Sequence, residues 1–488
     1  MQLDYLTILL GIQGHHVTEF NIGYRKERVA VLVTIARDHE SITCPKCGVI
    51  DIGGYDSKEF EIRHLIFWNT PTFIRFERYR GNCKACGILS ETLSFVDVRG
   101  PRVTAELAHV TKELCKVTTV KAVGDILMLH RHTVKAIDKQ ALQEEQANRP
   151  LDGITVLGMD ELSHGKGKGH KYKHMISALD GPRGPELLFV GKGRKERNLS
   201  KFWKWFDKDR ARIITHAVMD MWKPFRNSVR KHCPSAQIIY DKFHVIQHLL
   251  KALNAVRIQE IRKAGKWMKG RLSGKKFILL SRQAHVRGNA RAALNDALRA
   301  NSRLFKSHLM KETFGHLWSY KSKTWALKFF RGWVDQLKWS RLKPMQKFAR
   351  MVEKLLDGIL AYCDKKAPLG FIEAANAKAR NVIRRAYGYR DNAYLDLKII
   401  QTCTPWMNRF KPWSFTHSIV PRAFRFTPKT IISILSLNIQ NSNSIHSRRH
   451  AMQRVEQCSA GTDRTSGKGS RGGKACLETT SRGYLYYR

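Results

Sequence analysis

Short alternations of apolar and polar residues run through the first 97 positions, as half-buried strands require. Between 100 and 145 the period lengthens to that of amphipathic helices, with a turn in the middle. From 150 to 243, apolar runs alternate with helical stretches. Strands are predicted at Ile154–Met159, Lys171–Leu179, Leu187–Gly191, Arg212–Met219 and Gln237–Tyr240, with a Trp-bearing helix from Leu199 between the third and the fourth. Three neighbouring strands followed by a strand–helix–strand unit imply an α/β sheet of mixed direction. Residues 244–365 read as almost entirely helical and basic. Their tryptophans, Trp267, Trp318, Trp325, Trp333 and Trp339, fall at helical spacing and are expected in the core. Residues 371–400 predict a helix, a turn at Tyr387-Gly-Tyr389 and a further helix. Beyond about residue 405, Ser, Thr, Gly and Arg replace the periodic apolar positions, so this tail is expected to stay apart from the core. The expected divisions are thus 1–97, 98–148, 149–243, 244–368, 369–404 and 405–488.

Charge narrows the partner. The 488 residues carry 87 Lys and Arg against 41 Asp and Glu, a formal net charge of +46. Such an imbalance implies a polyanion, whose phosphates would supply most of the raw affinity. The N-terminus, Met1-Gln-Leu-Asp-Tyr5, lacks the basic and apolar regions of a secretory signal, and no apolar run is long enough to span a bilayer. The expectation is a cytoplasmic, nucleoid-associated protein with its ten cysteines reduced.

In that setting Cys44-Pro-Lys-Cys47-Gly and Cys83-Lys-Ala-Cys86-Gly read as two metal knuckles. Each CxxC turn aims two thiolates at one ion, and the glycine that follows permits the tight backbone turn. Together Cys44, Cys47, Cys83 and Cys86 predict a closed structural zinc ribbon, with a hairpin over Glu59–Tyr79 filling the gap. Next comes a helix-turn-helix pattern. Val120, Val123, Ile126 and Leu127 form one apolar face and Val134 and Ile137 the next. Arg131, His132, Thr133 and Lys135 are then expected to face outward at the start of a recognition helix.

Acids stand out in so basic a chain. Asp160 closes the apolar run Ile154-Thr-Val-Leu-Gly-Met-Asp160, Asp220 closes Ile213-Ile-Thr-His-Ala-Val-Met-Asp220, and Glu373 precedes an Arg-rich helix. Carboxylates at strand ends are costly unless a cation holds them. Magnesium or manganese would suit such oxygen ligands, in the two-ion arrangement that in-line displacement at a phosphodiester uses. Glu161 is ranked as a supporting residue, facing the other way on the strand, and Asp241-Lys-Phe-His244 as a neighbour of the site. The run His164-Gly-Lys-Gly-Lys-Gly-His170 lacks the order of a phosphate-binding P-loop. It reads as a basic loop whose Lys166 and Lys168 touch DNA backbone.

In order along residues 1–400, the two knuckles, the helix-turn-helix, GMDELSHGKGKGHKY, VMDMWKPF, YDKFHVIQHL and FIEAANAKARNVIRRAYGYRD resemble the transposases of the ISL-three family of bacterial insertion sequences. The resemblance implies a multidomain α/β protein: a ribonuclease-H-like catalytic domain with an all-helical insertion between its second and third acids, behind the zinc ribbon and helix-turn-helix. It implies that Asp160, Asp220 and Glu373 form the DDE triad and that Asp241 and His244 accompany it. Asn376 and the basic run Arg380–Arg390, with Arg384 and Arg385 as DNA contacts, match the stretch after the glutamate. The activity implied is metal-dependent cleavage and strand transfer on double-stranded DNA at terminal inverted repeats and target sites, in a homo-oligomer. The competing reading is a catalytically inactive, zinc-ribbon and helix-turn-helix DNA-binding regulator.

Overall fold

A computed structural model of the protein describes residues 3–10, 12–97, 100–164, 171–364, 370–385 and 389–411. The N-terminal strands are longer than the sequence pattern suggests. They are β1 (His15–Arg25), β2 (Arg28–Arg37), β3 (Gly53–Phe67), β4 (Thr70–Cys83) and β5 (Gly87–Ser90). Their order is β1-β2-β4-β3 with β5 on the other end of β4; β2 and β4 run parallel and the remaining pairs antiparallel. The expected hairpin over Glu59–Tyr79 is the closed part of the β3–β4 ribbon. The ribbon continues outward because cross-strand pairs such as Asp56 with Arg80 replace apolar contacts there. Both hairpins turn on two left-handed residues, Lys26-Glu27 and Trp68-Asn69, the geometry that matches the twist of the strands.

Three helices follow: α1 (Ala105–Val117), α2 (Val120–Leu127) and α3 (Arg131–Ala147). Thr104 and Thr119 cap the first two by accepting from backbone amides. Val123, Leu127, Val134 and Ile137 are buried, as their spacing predicts, whereas Ile126 is only half-buried. The α2–α3 turn leaves no room at Gly124, where a Cβ would stand 2.7 Å from the Leu129 carbonyl oxygen.

The central sheet comprises β6 (Val156–His164), β7 (Lys171–Ala178), β8 (Glu186–Lys192), β9 (His216–Met219) and β10 (Gln237–Tyr240), in the order β10-β9-β6-β7-β8. β6, β7 and β8 are antiparallel, while β9 runs parallel to β6 and β10 parallel to β9, giving the mixed sheet. The strand expected from Arg212 begins at His216, because Lys208–Arg212 forms a helical turn capped by Asp207. Phe202, Trp203 and Phe206 of the helix Glu196–Phe206 join the main core of this region.

A helical block occupies 242–364, opening with α4 (Lys242–Lys263). Its tryptophans divide. Trp318 and Trp333 are buried with Phe314, Phe330 and Phe348, whereas Trp267, Trp325 and Trp339 are exposed, the last to 90%. Helical spacing alone therefore overstates the aromatic core. Among the described residues no helix is long and apolar enough to cross a membrane.

The chain returns to the sheet with α5 (Gly370–Arg385) and α6 (Asn392–Cys403). α6 is tied down by charge: Asp396 pairs with the buried Lys173 of β7 at 2.5 Å, Lys398 with the buried Asp138 of α3 at 3.1 Å, and Asp391, which caps α6, with Lys139 at 2.9 Å. Residues 405–411, expected to stand apart, pack instead onto the core. Met407 is buried, the Trp406 indole donates to Glu186, and the Arg183 guanidinium lies 3.6 Å above the Trp406 ring. Two apolar anchors in an otherwise polar stretch were too few to register as periodicity. Residues 412–488, and the expected turn at Tyr387-Gly388, lie outside the described residues.

Glu186 also pairs at 2.9 Å with Arg149, both side chains being wholly buried. Glu186→Gln is expected to leave the Arg149 charge uncompensated and to lower stability by about 3–5 kcal/mol. The midpoint of urea unfolding would measure it, and an unchanged midpoint would refute this role for the pair.

Candidate active site

The cysteines come together as their spacing predicts. Their sulfurs all lie within 4.8 Å of one another, with Cys47 Sγ 3.6 Å from Cys83 Sγ. A tetrahedron with Zn–S bonds of about 2.3 Å places its sulfurs roughly 3.8 Å apart, so the site fits a structural zinc ion. Gly48 and Gly87, the residues after each knuckle, are left-handed at φ 77° and 79°. That is the freedom the CxxCG pattern requires. Backbone amides of Cys47 and Lys46 bring the Cys44 thiol down to about 6, favouring the thiolate that binds metal. Cys115, Cys233, Cys363 and Cys403 are each buried elsewhere.

The acids are placed by register. Met159 pairs with Met219 across β6 and β9, and Met219 with Tyr240 across β9 and β10. The next residue in each case is Asp160, which lies within β6 and not at its end as expected, or Asp220 and Asp241, directly after β9 and β10, so three carboxylates follow the same row at strand spacings of about 4.8 Å. Asp160 accepts from the Glu161 amide at 2.7 Å and from the Asn376 side-chain amide. Asp241 caps α4, accepting from the Phe243 amide at 2.8 Å, and lies 3.8 Å from His244 Nε2.

Glu373 reaches the site from the first turn of α5. The helix can approach because Gly158 lies beneath Ile372; a Cβ on Gly158 would stand 2.8 Å from Ile372 Cδ1. Asn376, one turn beyond Ile372 on the same face, then meets Asp160. Glu373 itself is exposed. Burial pushes the Asp160 carboxyl up, the nearby His244 and Asn376 opposing and Asp220 adding to the rise. Burial likewise raises Asp241, with His244 opposing and Asp160 and Glu373 adding. All four acids thus share one field. They stand wider than the cysteines: among the described residues, no three of them have ligand oxygens all within 4.8 Å.

The remaining candidates divide. Arg131 and His132 are exposed at the start of α3, Thr133 is half-buried, and Arg384 and Arg385 are exposed on the last turn of α5. Lys135, expected to face DNA, is drawn inward: it pairs with Asp391 at 2.9 Å and lies over the Tyr394 ring. Lys166 and Lys168 lie outside the described residues. Glu161, expected to face away, also senses the site. Burial raises its carboxyl, Arg194 opposes, and Asp220 and Asp160 add. Arg194, at 3.2 Å from Glu161, was not found by sequence reasoning. The only local hint is its place in Gly191-Lys-Gly-Arg194 at a strand end.

A basic chain with a four-cysteine knuckle pair and a row of acids in register on parallel strands matches the transposases of insertion sequences. A family model described as a transposase covers residues 157–399, and one described as the zinc finger of the transposases of IS204, IS1001, IS1096 and IS1165 covers residues 40–86. The chain belongs to the ISL3 family of DDE transposases. It is 28% identical over 361 residues to the transposase for insertion sequence element IS1001 of Bordetella parapertussis, spanning 73% of this chain and 87% of that one. It is 25% identical over 294 residues to the transposase for IS1557 of Mycobacterium tuberculosis, spanning 55% of this chain and 65% of the relative.

The purified protein is expected to carry roughly one zinc ion per chain, measured by atomic absorption. Cys83→Ser is expected to lose that ion and the protease protection of residues 15–90, while 156–403 keep theirs. Full zinc retention in the variant would count against the four-thiolate site.

Proposed function

We propose that the protein is an active DDE transposase that binds the terminal inverted repeats of its element, cleaves at the element end and transfers the freed strand to target DNA. The observation that carries this reading is the common register of Asp160, Asp220 and Asp241, joined by Glu373 from α5. The strand order supports a ribonuclease-H-like catalytic domain interrupted by the helical block. The short α2–α3 turn supports a helix-turn-helix with Arg131 and His132 at the base edges. The proposed domains are those of the sequence reading, with the catalytic part extended to residue 411.

Among the described residues no lysine or arginine pairs with Asp160, Asp220 or Glu373. Uncompensated carboxylates of this kind suit a hard divalent cation. Asp160, Asp220 and Glu373, with Asp241 beside them, would hold magnesium or manganese. When bound, such ions supply Lewis-acid activation at the phosphodiester. The chain's own contribution is placement. Asn376 fixes the Asp160 carboxylate, the β6–β9–β10 register spaces three acids, and the exposed turn of α5 leaves Glu373 open to incoming DNA. Arg384 and Arg385 follow on the same helix, positioned to contact phosphate. Two element ends must be joined in one complex, which requires an oligomer. The reading places the protein in the cytoplasm, at the nucleoid.

Duplexes carrying the inverted repeats that flank the gene provide the test. The wild-type protein is expected to nick them at the element end only with magnesium or manganese present. Asp160→Asn and Glu373→Gln are each expected to slow cleavage by about 10³-fold or more, with end binding retained. Wild-type binding without cleavage under any divalent ion would favour the inactive regulator.

A further inference from the structure

Arg194 is built into the molecule more firmly than a surface ion pair requires. It lies in the connection from β8 to the helix Glu196–Phe206, following Gly193, whose φ is 81°. The Gly193 amide donates to the Tyr172 carbonyl at 2.6 Å, and His174 Nδ1 donates to the Gly193 carbonyl at 2.8 Å. The Trp222 indole then donates to the carbonyl of Arg194 itself at 3.2 Å. Gly191 leaves the space that the His174 ring occupies; a Cβ there would stand 2.3 Å from His174 Nε2.

The guanidinium is held as closely as the backbone. It lies 4.1 Å from the ring centre of Tyr172 and 4.5 Å from that of Trp222, with Nη1 at 3.2 Å and 3.4 Å from the two Glu161 oxygens. Its supports belong to the acid-bearing segments: Glu161 directly follows Asp160, and Trp222 is two residues beyond Asp220. About a third of the side chain remains exposed. An ion pair this open adds little stability, so pairing with Glu161 does not account for the two aromatic walls and the locked backbone.

From this geometry we propose that Arg194 is a phosphate-binding subsite of the acid cluster, holding the backbone phosphodiester of the DNA end against Asp160 and Asp220. This rests on the transposase reading above and assigns a substrate contact within it. A planar guanidinium presents a fork of donors that fits two phosphate oxygens, and Glu161 engages only the Nη1 arm of it. Fixed in place beforehand, the cation meets developing negative charge without reorganising. The tyrosine and tryptophan rings keep it from collapsing onto the carboxylates that are to hold metal.

Single-turnover cleavage of the flanking-repeat duplex by the full-length chain tests this. Arg194→Gln is expected to slow cleavage about 10²–10³-fold, with end binding and melting temperature near wild type. Arg194→Lys keeps the positive charge beside Glu161, so it should fold, yet without the planar fork it is expected to lose at least about tenfold. A duplex with a neutral methylphosphonate at the scissile position separates substrate contact from scaffolding. On it the Arg194→Gln penalty should shrink to within about threefold. Wild-type rates in Arg194→Lys, or an undiminished penalty on the methylphosphonate, would overturn the subsite. Absence of cleavage by the wild-type protein would instead remove the transposase reading on which it stands.

Discussion

Charges buried along α6 set where everything else can stand. Asp396 reaches Lys173 inside the central sheet, Lys398 reaches Asp138 inside the three-helix module, and Asp391 holds Lys135 and Lys139 on the face of α3. Burying such groups is tolerable only with partners in place, because a lone charge in the interior is far costlier than a paired one. The helix therefore admits one seating, and that seating fixes the three-helix module against the sheet. It also fixes α5, whose approach to β6 depends on the space above Gly158. The N-terminal sheet joins the same assembly through Arg63, which donates to the Leu127 carbonyl at the end of α2.

Within that frame the acid cluster is a matter of alignment more than of contact. Three parallel strands run in step, with Asp160 inside β6 and Asp220 and Asp241 directly after β9 and β10, and the fourth acid arrives on a helix guided by Ile372 and Asn376. Burial makes these carboxyls resist ionising and their mutual repulsion adds to it, which is the direction in which Asp160 and Asp241 are pushed. The zinc site shows the opposite economy. Its four sulfurs are close already, held by two short turns that are each local in sequence.

Locality explains how much could be read from the chain alone. The CxxCG knuckles, the threonine-capped helices and the apolar runs that lead into Asp160 and Asp220 are all written within a few consecutive residues, although β6 runs on past Asp160 to His164. What escaped depends on partners far along the chain. The outer part of the β3–β4 ribbon looks polar and loop-like until Asp56 is seen opposite Arg80. Lys135 looks like a DNA-facing lysine until Asp391 folds against it. Arg194 carries no distinguishing pattern, because its importance lies in Tyr172, Trp222 and Glu161, which the fold brings around it. The tryptophans of the helical block failed for another reason: spacing reports which residues share a face, not whether that face is covered.

The Lys135–Asp391 pair has a thermodynamic side. Lys135 lies just beyond the residues at the start of α3 that face solvent, while Asp391 begins the helix seated against the sheet. Whatever free energy a bound polyanion gains by drawing Lys135 away is offset in part by the loss of this pair, although Lys139 keeps Asp391 partnered. Linkage is symmetric, so any occupant of the sheet that disfavours this pair would tighten the binding of a polyanion at α3 by the same factor. One ion pair would thereby make binding at α3 and occupancy of the sheet thermodynamically answerable to each other.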